Sequence, residues 1–354
     1  MNLLLFSVPK VRAFSELSNI FEENFYMNHI LGIGNALVDV ITLIDNDNVL
    51  EKFSLPKGSM QLVDREKSEM IQAGTIDLKR RFASGGSAAN TIHGLAMLGI
   101  NTGFIGSVGK DATGDFFEND MKNAGVSTML IRRDSVTGTA VALISIDSER
   151  TFATHLGAAV DLNEADLNPD IFKGFDILYL EGYLIYNRPL VEKACRIAKT
   201  NNMEIALDLA SYNVVESRIN DFKEIIKEYV NIVFANEEEA KSLTGLDPRE
   251  ALYKISDFCD IAVVKVGKEG SWIKRGEEVI KIETIEAQCR DTTGAGDLYA
   301  AGFLYGLAYG FNLEKCGIIG SVLAGKVIEI IGARIDEKKW VEINEIIKTI
   351  SESE

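Results

Sequence analysis

The run Asp291-Thr292-Thr293-Gly294-Ala295-Gly296-Asp297 places an acid at the start of an apolar-periodic segment, Leu298 to Leu307. Gly294 and Gly296 let a backbone come close to a ligand. A helix opening here offers amide protons that lack intrahelical partners, together with a partial positive charge. Both suit an anion such as a phosphate. A carboxylate in the same turn does not serve that purpose. Asp297 makes sense where a hydroxyl must lose its proton as it attacks a phosphoryl group.

Other segments carry weaker signals, each with a plain structural alternative. Gly85-Gly86 precedes a helix and lets a ligand lie on the backbone, while Asn90 in the first turn offers a donor and an acceptor to a hydroxyl. The alternative is a loop with Ser87 capping the helix. Asp39 stands five residues after Gly34, at the mouth of a first strand, where a carboxylate can accept from two sugar hydroxyls; a turn or cap aspartate is the rival reading. Asn236 and Glu239 lie one turn apart at a helix start and can order hydrated Mg2+ near phosphates, or simply cap the helix. Lys265, with Gly267 and Gly270 behind it, ends a strand in a glycine-bracketed turn that can edge a nucleotide, as ordinary hairpin turns also do. His93 reads as a core or helix-face residue. Two motifs fail. Gly32-Ile33-Gly34 lacks the third glycine of a dinucleotide fingerprint, because Leu37 stands there, which argues against a nicotinamide dehydrogenase. Gly320 to Val327 has the spacing of a P-loop but ends in Val327, with no hydroxyl for magnesium.

The elements that must position these residues follow from apolar periodicity. Strands are predicted over 29–33, 40–44, 59–63 and 102–108, helices over 88–98 and 113–123, and a hairpin over 139–146 and 151–155. From residue 177 strands and helices alternate, ending in a hairpin over 272–274 and 279–282 and helices over 295–309, 314–331 and 340–350. The expected fold class is α/β: a doubly wound, mostly parallel sheet with helices on both faces. One domain over 29–350 is expected, with a small β lid from about 38–63 and 137–157 and an N-terminal extension over 1–28 outside the core. The extension fits a signal peptide poorly, and translation from Met27 is one explanation of it.

With 354 residues, 46% of them hydrophobic, the chain can bury a sizeable core. A formal net charge of −16 argues against nucleic acid and anionic membranes as partners. Cys195, Cys259, Cys289 and Cys316 form no CxxC pair and only three histidines are present, which disfavours a structural zinc site and suits a reducing cytoplasm.

Taken in order, these pieces resemble the ribokinase/PfkB family of carbohydrate and nucleoside kinases, from about Asn28 to Ala333. The run ending in Asp297 and the segment from Gly85 to Phe117 carry the resemblance. It implies ATP as phosphate donor with Mg2+, Asp297 as catalytic base, and the amides of Gly294, Ala295 and Gly296 as an anion hole. It implies acceptor contacts at Asp39, the Gly85-Gly86 pair and Asn90. Asn236 and Glu239 fall on its magnesium and phosphate motif, and Lys265, Gly267 and Gly270 on its nucleotide edge, although many relatives carry Thr or Ser at Lys265. A monovalent cation, K+ in many members, would take Asp291 and Thr293 as ligands. The runs Gly34 to Val40, Ser148 to Phe152 and Glu181-Gly182-Tyr183 look nearest the adenosine-kinase-like and bacterial sugar-kinase branches, with Tyr183 placed to stack on a purine. The implied acceptor is a nucleoside such as adenosine, or else a furanose or hexose derivative. A non-catalytic sensor on the same scaffold would not need Asp297. Open lid strands are expected to pair two copies of the chain into a homodimer.

Overall fold

Short runs rich in Ile, Val and Leu fold into the strands of one large sheet. The computed structural model describes residues 28–147 and 149–352. The extension up to residue 27, and Ser148 of the lid segment, lie outside the described residues. The strands are β1 (His29–Ile33), β2 (Leu37–Leu43), β3 (Met60–Leu62), β4 (Arg80–Gly85), β5 (Asn101–Gly109), β6 (Ser127–Arg133) and β7 (Gly138–Ile144). They continue as β8 (Arg150–His155), β9 (Ile177–Glu181), β10 (Glu204–Asp208), β11 (Ile232–Asn236), β12 (Ile261–Lys265), β13 (Ser271–Arg275) and β14 (Glu278–Ile282).

The nine-stranded sheet runs β14-β13-β12-β11-β10-β9-β1-β5-β6. Every pair is parallel except the hairpin pairs β12–β13 and β13–β14. Alternate residues face opposite layers, as the period of a strand requires. Ile30, Phe104, Tyr179 and Phe234 pack under helices Ser87–Met97, Ala295–Ala308 and Leu313–Val327. Leu31, Leu178, Leu207 and Val233 pack under helices Arg188–Thr200 and Ile219–Tyr229. Each such large side chain, when fully buried, contributes about 1.5–3 kcal/mol. Helix Leu313–Val327 contains the P-loop-like run. A Cβ on Gly320 would come 2.9 Å from the Tyr299 carbonyl, so that glycine serves close helix packing.

The second sheet has the order β3-β8-β7-β2-β4. Its outer face is covered by its own connections: Val40, Val141, Leu143 and Ala153 meet Leu50, Phe53, Leu55 and Ile71. Its first insertion runs past the expected end at residue 63, adding helix Arg65–Gly74 and strand β4. Only Ser68 and Ile71 of that helix are buried, and β4 opens on Arg80-Arg81, so neither shows a clear apolar period. Edge strand β6 escapes prediction for the same reason, since none of its residues is fully buried. Among the described residues no helix is long and apolar enough to cross a membrane.

Candidate active site

Strand β1 lies between β5 and β9, and the chain runs outward from it in both directions. A crevice opens at such a reversal, outside the carboxyl ends of the strands. At this end of the sheet stand the residues that close or follow β1, β9, β10, β11 and β12: Asn35, Glu181, Asp208, Asn236 and Lys265. Helices Ser87–Met97 and Ala295–Ala308 begin at its rim.

Gly294 caps helix Ala295–Ala308 with φ +77°, and a Cβ there would stand 2.6 Å from the Cβ of Ala333. Both conditions demand glycine. Gly296 and Asp297 follow in the first turn, where amides have no intrahelical acceptor. The Asp297 carboxylate accepts from Ser87 Oγ at 2.7 Å and from Asn90 Nδ2 at 2.9 Å. Thr91 Oγ1 fastens the Asp297 carbonyl at 3.1 Å. Burial raises the Asp297 carboxyl to about 6, although its two donors and Lys265 pull it back and part of the residue still meets solvent. Asp39 is raised to about 7, again chiefly by burial. If Asp297 is the base expected from the sequence, it acts only when ionised, and activity is lost as pH falls. The acid limb of acceptor kcat/KM is expected between about pH 6 and 7, higher than an ordinary carboxylate would give. A steady-state pH profile flat down to about pH 4.5 would contradict the enclosed carboxylates.

Lys265 reaches the same turn. Its Nζ stands 3.0 Å from where a Cβ on Gly296 would be, and bonds Asp208 Oδ2 at 2.9 Å. Asp208, 4% exposed, was not singled out from the sequence. The usable signal was an acid closing an apolar strand, as Glu181 closes β9 and Asp208 closes β10. Asn236 and Glu239 form a reciprocal cap: Glu239 N–H donates to Asn236 Oδ1, while the Asn236 amide and side-chain nitrogen donate to the two Glu239 oxygens, all at 2.8 Å. Glu239 is 3% exposed, and burial beside Asp208 raises it to about 7. Gly267 (φ +53°) and Gly270 (φ +88°) shape the turn after β12, and a Cβ on Gly270 would strike the Ile282 carbonyl at 1.8 Å.

Near Asp297 stand the residues expected from the sequence to contact an acceptor. Asp39 projects from β2, and a Cβ on Gly85 would collide with its carboxylate at 2.3 Å. Among the described residues no group hydrogen-bonds the Asp39 carboxylate, which leaves it free for a ligand. Gly86 adopts φ +101°, and a Cβ there would reach the Asn35 carbonyl at 2.0 Å. Glu181, 1% exposed, ties this corner together. It accepts from the Asn35 amide at 2.9 Å, from Asn35 Nδ2 at 2.5 Å and from the Ala88 amide at 2.9 Å. Tyr183 is half-buried behind it, its hydroxyl 3.5 Å from the Ala210 carbonyl. His93 is a core residue held neutral by burial. Asn90 does not offer both a donor and an acceptor outward, because Arg334 Nη1 takes its Oδ1 at 2.9 Å.

Asp291 is 4% exposed and fully engaged. Its Oδ1 accepts from the Thr293 amide at 2.6 Å and pairs with Arg150 Nη1 of the small sheet at 2.5 Å. Its Oδ2 accepts from the Gly332 amide at 2.7 Å. Among the described residues no cluster of three or more His, Cys, Asp or Glu side chains is disposed to hold a metal ion.

The description of pfkB family carbohydrate kinases matches residues 61–340. The chain is 31% identical over 251 residues to an uncharacterized sugar kinase of Archaeoglobus fulgidus, spanning 68% of this chain and 96% of that protein. It superposes on the crystal structure of a probable sugar kinase from Rhizobium etli with a TM-score of 0.83 at 34% identity, over 92% of this chain and 99% of that one. For adenosine kinase from Sinorhizobium meliloti the TM-score is 0.82 at 34% identity, over 90% and 99% of the two chains. The chain therefore belongs to the pfkB family of carbohydrate kinases, phosphotransferases that use ATP and act on a sugar or nucleoside hydroxyl.

Proposed function

We propose that the chain phosphorylates the hydroxymethyl group of a neutral nucleoside. The observation that carries this reading is a row across the inner face of the small sheet. Asp39 pairs with Ala140, Ala140 with Thr154, and Thr154 with Leu62, so these side chains share one face. Three strand spacings separate the ends of the row, roughly 14 Å. An open cavity of about 500 Å³, lined by Leu62, Thr154, Leu156, Val136 and Val160 among others, continues the row at its far end. A sugar held at Asp39 could extend an apolar substituent over the small Ala140 toward that cavity. Two cations near the cleft are already paired, Arg150 with Asp291 and Lys265 with Asp208, and Arg334 is buried behind Asn90. A phosphorylated or acidic acceptor would meet more carboxylates than free cations.

In this reading Asp297 takes the proton from the acceptor oxygen as that oxygen bonds the γ-phosphorus and the bridge to the β-phosphate breaks, releasing ADP. The first-turn amides and Lys265 receive the charge on the transferred group. Closure of the small sheet as a lid would exclude water from the site. Glu239 suits a hydrated Mg2+, because each oxygen keeps a lone pair beyond its bond from Asn236, and this ion usually keeps waters and binds phosphates directly. When bound, Mg2+ neutralises phosphate charge. The Asp291 carboxylate does not suit a potassium ion while Arg150 sits on it. The open edge strand β3, with Met60 51% and Leu62 65% exposed, favours pairing with a second copy.

A thermal-shift panel with a non-hydrolysable ATP analogue tests the acceptor. Purine nucleosides are expected to stabilise the protein by several degrees, since only the folded state binds them. The names of the relatives from R. etli and A. fulgidus favour a sugar instead. Free hexoses or pentoses that stabilise the protein while nucleosides do not would overturn the nucleoside reading.

A further inference from the structure

Arg334 is 7% exposed and sits behind the acceptor side of the cleft. Its Nη1 donates to Asn90 Oδ1 at 2.9 Å and its Nη2 to Ser84 Oγ at 2.6 Å. Ser84 donates in turn to Asp120 at 2.6 Å, and Asp120 stands 3.8 Å from Arg334 Nε. On its other side Asn90 donates from Nδ2 to Asp297 at 2.9 Å. A guanidinium has only donors and an ionised carboxylate only acceptors. Set between them, the Asn90 amide has one satisfactory orientation, oxygen toward Arg334 and nitrogen toward Asp297.

A buried arginine is costly unless paired, and among the described residues the nearest carboxylate to this one is Asp120, a loose ion pair 3.8 Å from Nε. Its hydrogen bonds go instead to neutral side chains, Asn90, Ser84 and, at 3.9 Å, Met121 Sδ. Packing alone would be served by an apolar residue. What an arginine adds is the direction of the Asn90 amide.

We propose that Arg334 is a positioning residue for phosphoryl transfer, fixing Asn90 so that one N–H holds Asp297 and the other is presented to an oxygen of the acceptor. Asn90 then recognises its acceptor oxygen as a lone pair and never as a proton donor. Without Arg334 the amide is free to turn and set its oxygen against Asp297. The inference rests on the reading of Asp297 as the base.

A double-mutant cycle of Arg334→Met and Asn90→Leu tests it. Arg334→Met alone is expected to lower acceptor kcat/KM by ~10–100-fold with little change in the KM for ATP, the size of one or two lost charge-assisted hydrogen bonds. In the Asn90→Leu background the same replacement is expected to cost less than about threefold, because residues acting through one another are not additive. If Arg334→Met does not fold, Arg334→Lys, which cannot span Asn90 and Ser84 together, replaces it in the cycle. Additive losses, or a fall in kcat shared equally by every substrate parameter, would overturn the proposal. Acceptor affinity measured by calorimetry gives the same cycle without chemistry. Absence of coupling there condemns the role of Arg334, whereas normal turnover of Asp297→Asn condemns the base.

Discussion

Asp297→Asn is expected to lower kcat by ~10²–10⁴ while the acceptor still binds, the range found when a positioned general base is removed. The replacement is nearly isosteric, so the first turn keeps its shape. Asn90 Nδ2 and Ser87 Oγ both donate to the present carboxylate. An amide at this position accepts from Asn90 Nδ2 through its oxygen and donates its own N–H to Ser87 Oγ, because a hydroxyl accepts as well as donates. Losing the charge on the acceptor weakens the bond from Asn90 by on the order of 1 kcal/mol. Removing a carboxyl that burial has raised to about 6 relieves desolvation in the opposite direction. Thermal stability is therefore expected to stay close to that of the parent, which separates loss of chemistry from loss of fold. The measurements are single-turnover rates and calorimetric acceptor binding on the same preparation. Near-parental turnover would take Asp297 out of the reaction.

The run Asp291 to Asp297 was legible because its chemistry is local. The positive φ of Gly294, the first-turn amides and Asp297 lie within one helical turn. The alternating strands after residue 177 were legible because parallel strands buried on both faces are continuous apolar runs. What escaped was held at long range. Arg334 bonds Asn90 across 244 positions of chain, and Glu181 bonds Asn35 across 146. No window of sequence contains such a pair. Asp208 was visible only as an acid closing a strand, a feature that many strand ends share.

The small sheet illustrates a second limit. Its inner face carries Asp39 and small residues such as Ala140 and Gly85 in place of a clean apolar alternation, as the proposed role in holding a polar acceptor would require. Strand β4 and helix Arg65–Gly74 bury few side chains, and periodicity is weak wherever burial is slight. The weakest elements for prediction are thus the small sheet's β4 and its helix, together with edge strand β6 of the large sheet. Consistency between local pattern and fold is relaxed where function asks for a polar, open surface.

Asp39→Ala should separate binding from stability. The Asp39 carboxylate has no hydrogen-bond partner among the described residues, and burial outweighs the attraction of Arg334 and Arg150 to raise it to about 7. An acid whose folded-state value lies above its unfolded value of 3.8 binds its proton more tightly when folded. Ionising it therefore costs stability, a cost absent below about pH 4, growing as pH rises and complete above about 7. Asp39→Ala is expected to raise the melting temperature at pH 8 and to leave it nearly unchanged at pH 4. The same replacement removes the group proposed to hold two acceptor hydroxyls. Hydrogen bonds to a charged group contribute about 1.5–3 kcal/mol each, so the acceptor KM is expected to rise by ~10² or more. The KM for ATP, bound on the far side of the crevice near Lys265 in this reading, is expected to change less than about threefold. A protein both more stable and poorer at binding its acceptor is the signature of a carboxylate kept for function against its own solvation. An equal rise in both KM values, or a loss of stability at pH 8, would mean that Asp39 serves the architecture of the small sheet and not the acceptor.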